Sequence, residues 1–168
     1  MKFHNFSSIS YFRNFIFGVE DSLVSTVGLL SGVAVADVPR TTIFLTGIIL
    51  LLVEGLSMAV GSFLTEYSVG EFIHQTERTA RSSILSGIIM FFSYLICGFI
   101  PLFPYALWPV DMALKVSIGF SVVSLFLLGI VGAKISDSNI LKSGFRMALV
   151  GGMAITIGIL AGNLLSKI

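Results

Sequence analysis

The chain has 168 residues, 55% of them hydrophobic and only 11% charged, with a formal net charge of +1. Soluble domains carry about 25% charged residues, so this composition excludes a soluble fold, and the lack of a basic stripe excludes a nucleic-acid partner. A single cysteine, Cys97, excludes an intrachain disulfide and a cysteine metal cluster. At about 20 residues per helical crossing, the length accommodates roughly five spans with short connections and no extra domain. The expected fold is an all-α membrane protein forming one transmembrane domain over residues 1–168.

The opening MKFHNFSSISYFRN mixes Lys2, His4 and Arg13 with aromatics. It reads as a juxtamembrane segment, an interfacial helix anchored by Phe3, Phe6, Tyr11 and Phe12. It lacks the charged, apolar and cleavage regions of a removable signal peptide. Span one is expected over 15–36, FIFGVEDSLVSTVGLLSGVAVA, and Pro39 stops it because proline cannot continue the hydrogen-bond ladder. This span holds two adjacent carboxylates, Glu20 and Asp21. A carboxylate inside a bilayer costs roughly 3 kcal/mol on insertion scales, so it faces protein or water and often marks an ion or proton path. Asp21, Ser25, Gly28 and Gly32 recur at helical spacing and share one small, polar face. Glu20 points about 100° away from that face.

Span two is expected over 42–67, and its second half interrupts the aliphatics with Glu54, Met58, Gly61, Ser62 and Glu66. Glu54, Met58, Gly61 and Thr65 fall on one helical stripe, and Glu66 projects about a third of a turn from it. The helix is expected to run on into a charged connector that contains Glu71, His74, Glu77, Arg78 and Arg81. Span three, 82–100, carries no charge. The following PLFPYALWP reads as a surface turn, with Tyr105 and Trp108 as interfacial aromatics. Span four, 112–133, starts near Asp111 and Lys115, and span five, 147–165, contains Gly158 and Gly162 in the spacing that lets helices approach closely. The N-terminal segment and the second and fourth connectors hold Lys2, Arg13, Arg78, Arg81, Lys134, Lys142 and Arg146, against Arg40, Lys115 and Lys167 on the other side. The excess places the N-terminus in the cytoplasm and the C-terminus on the opposite side.

The acids at membrane depth or its edge are Glu20, Asp21, Glu54 and Glu66, and no lysine or arginine lies deep enough in spans one and two to pair with them. Such a set requires protons or cations to supply positive charge, and it locates a site between spans one and two. Glu66 reads better as an acid ending its helix at the water interface; for Glu20 and Asp21 that reading and the functional one stand level; Glu54 lies too deep for it. Met58, one turn after Glu54, adds a thioether, and carboxylate with thioether suits a borderline ion such as Fe(II) better than Mg(II) or Ca(II). Methionine in a membrane helix is nevertheless usually packing. Glu71 and His74 form an E-x-x-H pair, a spacing used in duplicate by di-iron bundles, but a single copy in a charged connector reads first as solvated surface, with Glu77 adding a weak metal-collecting patch. No nucleophile–base pair and no phosphate loop is present, so neither enzyme activity nor a permanently bound cofactor is expected.

FGVEDSLVSTVGLLSGVA in span one resembles the first helix of the vacuolar iron transporter (VIT) family, in which an aspartate precedes a small-residue run. GLSMAVGSFLTEYS in span two resembles that family's Ser-Met-x-x-Gly-Glu-Tyr motif, Pro101 and Pro104 match its Pro-x-x-Pro, and FRMALVGGMAITIGILAGNLL resembles its fifth helix. The resemblance implies a homodimer that exports Fe(II), and Mn(II), from the cytoplasm against inward proton movement, along a path at the subunit interface lined by helices one and two. Asp21 and Met58 match the path-lining aspartate and methionine, and the two glycine faces would serve dimer contact or close approach beside the path. The membrane would be a plasma membrane in a prokaryote or a vacuole-like organelle membrane in a eukaryote. The sequence departs from the pattern in three places. Ser62 stands where the family has a glutamate, Glu54 stands where it has a small residue and is placed to substitute, and the connector from Ser68 to Arg81 is too short for a cytoplasmic glutamate-rich helical domain. This is a short form, in which metal capture rests on Glu66, Glu71, His74 and Glu77 or is absent. Two other readings stay open: a membrane scaffold assembled through its glycine faces, and a proton-coupled carrier of another solute.

Overall fold

Apolar stretches of this length find no water for their backbone amides in a bilayer, so they close their hydrogen bonds within helices. The computed structural model describes residues 4–72 and 76–167, and its elements are five helices: α1 (His4–Ala34), α2 (Arg40–Phe72), α3 (Thr76–Leu107), α4 (Val110–Ile135) and α5 (Ile140–Leu165). Each contains a stretch long and apolar enough to cross a membrane. The protein is an all-α, multi-pass membrane protein.

The helices reverse in tight turns. Asp37, between α1 and α2, and Asp137, between α4 and α5, adopt φ of 56° and 49°, a left-handed conformation that short polar side chains tolerate better than most. Asn139 then caps α5, its side chain accepting from the Lys142 amide at 3.1 Å. This cap starts α5 at Ile140, ahead of the expected span at 147.

Two regions differ from the sequence reading. The juxtamembrane segment is continuous with span one in a single helix from His4, because its polar residues Ser10 and Asn14 are buried against neighbouring helices instead of lying on the surface. The proline segment after residue 100 is also helical. Pro101 and Pro104 lie inside α3, fully buried, and α3 runs on to Leu107. Neighbouring helices make prolines tolerable in a membrane helix; here Ser117 of α4 donates to the Pro101 carbonyl at 2.7 Å and the Trp108 amide to the Pro104 carbonyl at 3.0 Å. Tyr105 is consequently a core residue, 1% exposed, and packs with Leu102 and Ala113; Trp108, half-buried just beyond the end of α3, borders the same cluster.

The helix at the centre is α1. Half of its apolar window is buried, against 17% for α5, and it packs on α3, α5, α4 and α2. One core cluster joins Leu30, Ile43, Leu51, Tyr94 and Leu102 from α1, α2 and α3, and a second joins Val19 and Leu23 of α1 to Leu125 and Leu128 of α4. The polar side chains Ser10, Asn14, Ser22, Thr26 and Ser31 of α1 are buried among the other helices, and this face positions the site.

Candidate functional site

Close approach on one side of α1 begins with glycine. A Cβ on Gly32 would sit 2.6 Å from the Gly158 carbonyl oxygen, and a Cβ on Gly158 or Gly162 would collide with the Gly28 or Gly32 carbonyl. The two Gly-x-x-x-Gly faces thus pack against each other within the protomer, and α5 lies directly on α1. These faces are used up internally, which leaves assembly through them without a surface.

On the adjoining face α1 carries a run of hydroxyl groups toward α3 and α2. The Ser22 hydroxyl donates to the Tyr94 carbonyl. The Tyr94 hydroxyl donates to Glu54 Oε2, and Ser25 Oγ lies 2.7 Å from that hydroxyl and 3.1 Å from Glu54 Oε2, so its single proton serves one or the other. One carboxylate oxygen of Glu54 is thereby held from two helices, while Oε1 accepts no hydrogen bond among the described residues. Asp21, one turn before Ser25 and half-buried, lies within electrostatic reach of Glu54. Met58 follows Glu54 by one turn and packs against the core cluster that contains Tyr94. No lysine or arginine is paired with Asp21 or Glu54; the ion pair found among the described residues is elsewhere.

That pair lies twelve residues further along α2, about 18 Å away at helical rise. Glu66 is 9% exposed, and its Oε1 accepts from Arg13 Nη2 at 2.6 Å and from the Ser10 hydroxyl. The sequence reading left Glu66 without a basic partner; continuing α1 back to His4 is what carries Arg13 alongside it. Tyr11 and Ser82 hydroxyls meet at 3.2 Å in the same layer. The register set by these contacts brings Asn14, Ser62 and Ser86 to the next layer inward, where Asn14 Nδ2, Ser62 Oγ and Ser86 Oγ are buried without a hydrogen bond inside the protein.

The remaining expected residues do not join either group. Glu20 lines a different cleft, beside Arg146. Glu71 is exposed at the end of α2, and His74 and the Glu77 side chain fall outside the described residues. Among the described residues no three histidine, cysteine, aspartate or glutamate side chains cluster as a preformed metal site. Sequence reasoning passed over Tyr94, although a signal existed: a tyrosine in mid-span, far from the interfacial belt, needs a partner for its hydroxyl.

A model of the VIT family matches residues 12–84 and again residues 65–163. The chain belongs to the VIT family. The two matches overlap across the connector between α2 and α3, and the 168-residue length is that of a short member. The chain is 26% identical over 163 residues to the uncharacterized protein MJ0645 of Methanocaldococcus jannaschii, covering 86% of this chain and 84% of that one. It is 28% identical to vacuolar iron transporter homolog 4 of Arabidopsis thaliana, over 88% and 81% of the two chains. It is 21% identical to the vacuolar iron transporter of Toxoplasma gondii over 234 aligned positions, which take in 98% of this chain and 78% of that protein. That alignment is longer than this VIT chain itself, so several dozen of its positions have no counterpart here.

Proposed function

We propose that this protein carries Fe(II) and Mn(II) out of the cytoplasm in exchange for protons, through a path lined by α1 and α2 at the interface of a homodimer. The observation that carries the reading is Glu54, held from two helices by Tyr94 and Ser25, with half-buried Asp21 one turn before Ser25 and neither acid in an ion pair among the described residues. Two carboxylates in a low-dielectric setting need compensating charge, and a transporter supplies it alternately as metal ion and as proton. Ser25 and Tyr94 hold one Glu54 oxygen in place, so Oε1 and the Asp21 carboxylate are the groups available to an ion, with the Met58 thioether adding a softer ligand. Half-buried acids cannot face hydrocarbon; a second copy closing over this side of α1 and α2 would shield them. The names of two relatives, a vacuolar iron transporter and a vacuolar iron transporter homolog, support iron as a cargo.

Glu54 takes the place of the family glutamate that Ser62 lacks. Glu66, whose charge Arg13 already meets, serves as an anchor between α1 and α2, and Glu20 faces a cleft that is basic and not acidic. Glu71, with His74 and Glu77, is left as weak cytoplasmic capture. The test is metal flux into dye-loaded proteoliposomes under an opposing proton gradient. Wild type should move Fe(II) and Mn(II), and Asp21→Ala should not; absence of metal flux in wild type, or full flux in Asp21→Ala, would overturn the reading.

A further inference from the structure

We propose that the cleft between the start of α1 and the α4–α5 hairpin seats the phosphate headgroup of an anionic phospholipid from the leaflet on the N-terminal side. The cleft has a volume of about 830 Å³. Three cations line it, Arg13, Lys142 and Arg146, against one carboxylate, Glu20. Arg146 lies within electrostatic reach of Glu20. Arg13 gives one nitrogen to Glu66 while its side chain stays 64% exposed, and among the described residues no ion pair engages Lys142. The cleft therefore keeps a positive field, and guanidinium groups match phosphate oxygens in geometry as well as charge.

Its polarity is graded in the way a phospholipid is. Ser136, Ser138 and Asn139 form the rim in the α4–α5 turn, the cations stand below them, and Ile16, Phe17 and Met147 supply an apolar wall. Phe17 is 49% exposed. A soluble anion gains nothing from that wall, whereas acyl chains do. Space is available at the α4 side, since a Cβ on Gly132 would meet no atom within 4 Å. Glu20 faces this cleft and Asp21 faces Glu54, so the lipid site lies apart from the metal path and stands without it.

The test is native mass spectrometry of the full-length protein released from nanodiscs, made either of phosphatidylcholine alone or of phosphatidylcholine with phosphatidylglycerol. Wild type should retain phosphatidylglycerol in preference to phosphatidylcholine. Lys142→Gln with Arg146→Gln should weaken that preference about fivefold per removed cation, the scale of one basic residue at an anionic surface. Gly132→Phe, which fills the cleft and leaves every cation in place, should abolish retention and guards against misfolding of the charge variant. Arg40→Gln with Lys115→Gln, at the opposite end of the bundle, should change nothing. Equal retention of the two lipids, retention that survives both cleft variants, or displacement of the lipid by excess inorganic phosphate would overturn the proposal.

Discussion

Glu54 and Glu66 belong to the same helix, about a third of a turn apart around it, and each lies within hydrogen-bond distance of a serine hydroxyl of α1, Ser25 for the first and Ser10 for the second. They differ in the third partner. Glu66 has the Arg13 guanidinium, and Glu54 has the Tyr94 phenol. A guanidinium supplies a full positive charge as well as a hydrogen bond; a phenol supplies the hydrogen bond alone. The same helix thus carries one acid whose electrostatics are complete within the chain and one whose electrostatics call for something that arrives from outside. Asp21 near Glu54 adds a second uncompensated acid.

This contrast can be broken in order of expected effect. Glu54→Gln and Asp21→Ala should each lower proton-coupled metal flux in proteoliposomes by more than about a hundredfold, beyond the range of about 10–100-fold seen when only an outer partner of a metal ligand is lost, while Glu66→Gln should leave flux near the wild-type rate. Tyr94→Phe removes an outer partner and should cost about tenfold in flux, with circular dichroism unchanged. Arg13→Gln should act on stability instead. It leaves the buried Glu66 carboxylate with Ser10 alone, and thermal unfolding in detergent should report a loss of about 1–3 kcal/mol, largely restored by adding Glu66→Gln. Met58→Leu nearly conserves volume and should cost under about 1.5 kcal/mol in stability, while lowering Fe(II) flux relative to Mn(II) flux in a competition assay.

Much of the fold was legible because membrane helices announce themselves by length and hydropathy, and because Pro39 stops the first span by local chemistry. The extents were less legible. Nothing local in PLFPYALWP reveals that Ser117, on another helix, will support a buried proline turn, and nothing local in the first residues reveals that Ser10 and Arg13 will find Glu66. Within the site, Glu54 and Met58 could be placed on one face of α2 from spacing alone, since one helix face is a matter of arithmetic, and Asp21 on α1 was joined to them only by the shared lack of a basic partner. Their separation from Glu20 and Glu66 depended on which helix lies against which. The glycine faces illustrate the same limit. Spacing shows that Gly28, Gly32, Gly158 and Gly162 are made for close contact, but whether the contact is within a protomer or between two is decided by the packing of α5 on α1.

The central claim is that the uncompensated acid on α2, and not the compensated one, answers to the transported ion. Metal flux measured side by side for wild type, Glu54→Gln and Glu66→Gln, in vesicles with and without an opposing proton gradient, tests it most directly. The account predicts gradient-dependent flux in wild type and Glu66→Gln and none in Glu54→Gln. Flux that survives in Glu54→Gln and disappears in Glu66→Gln would contradict it.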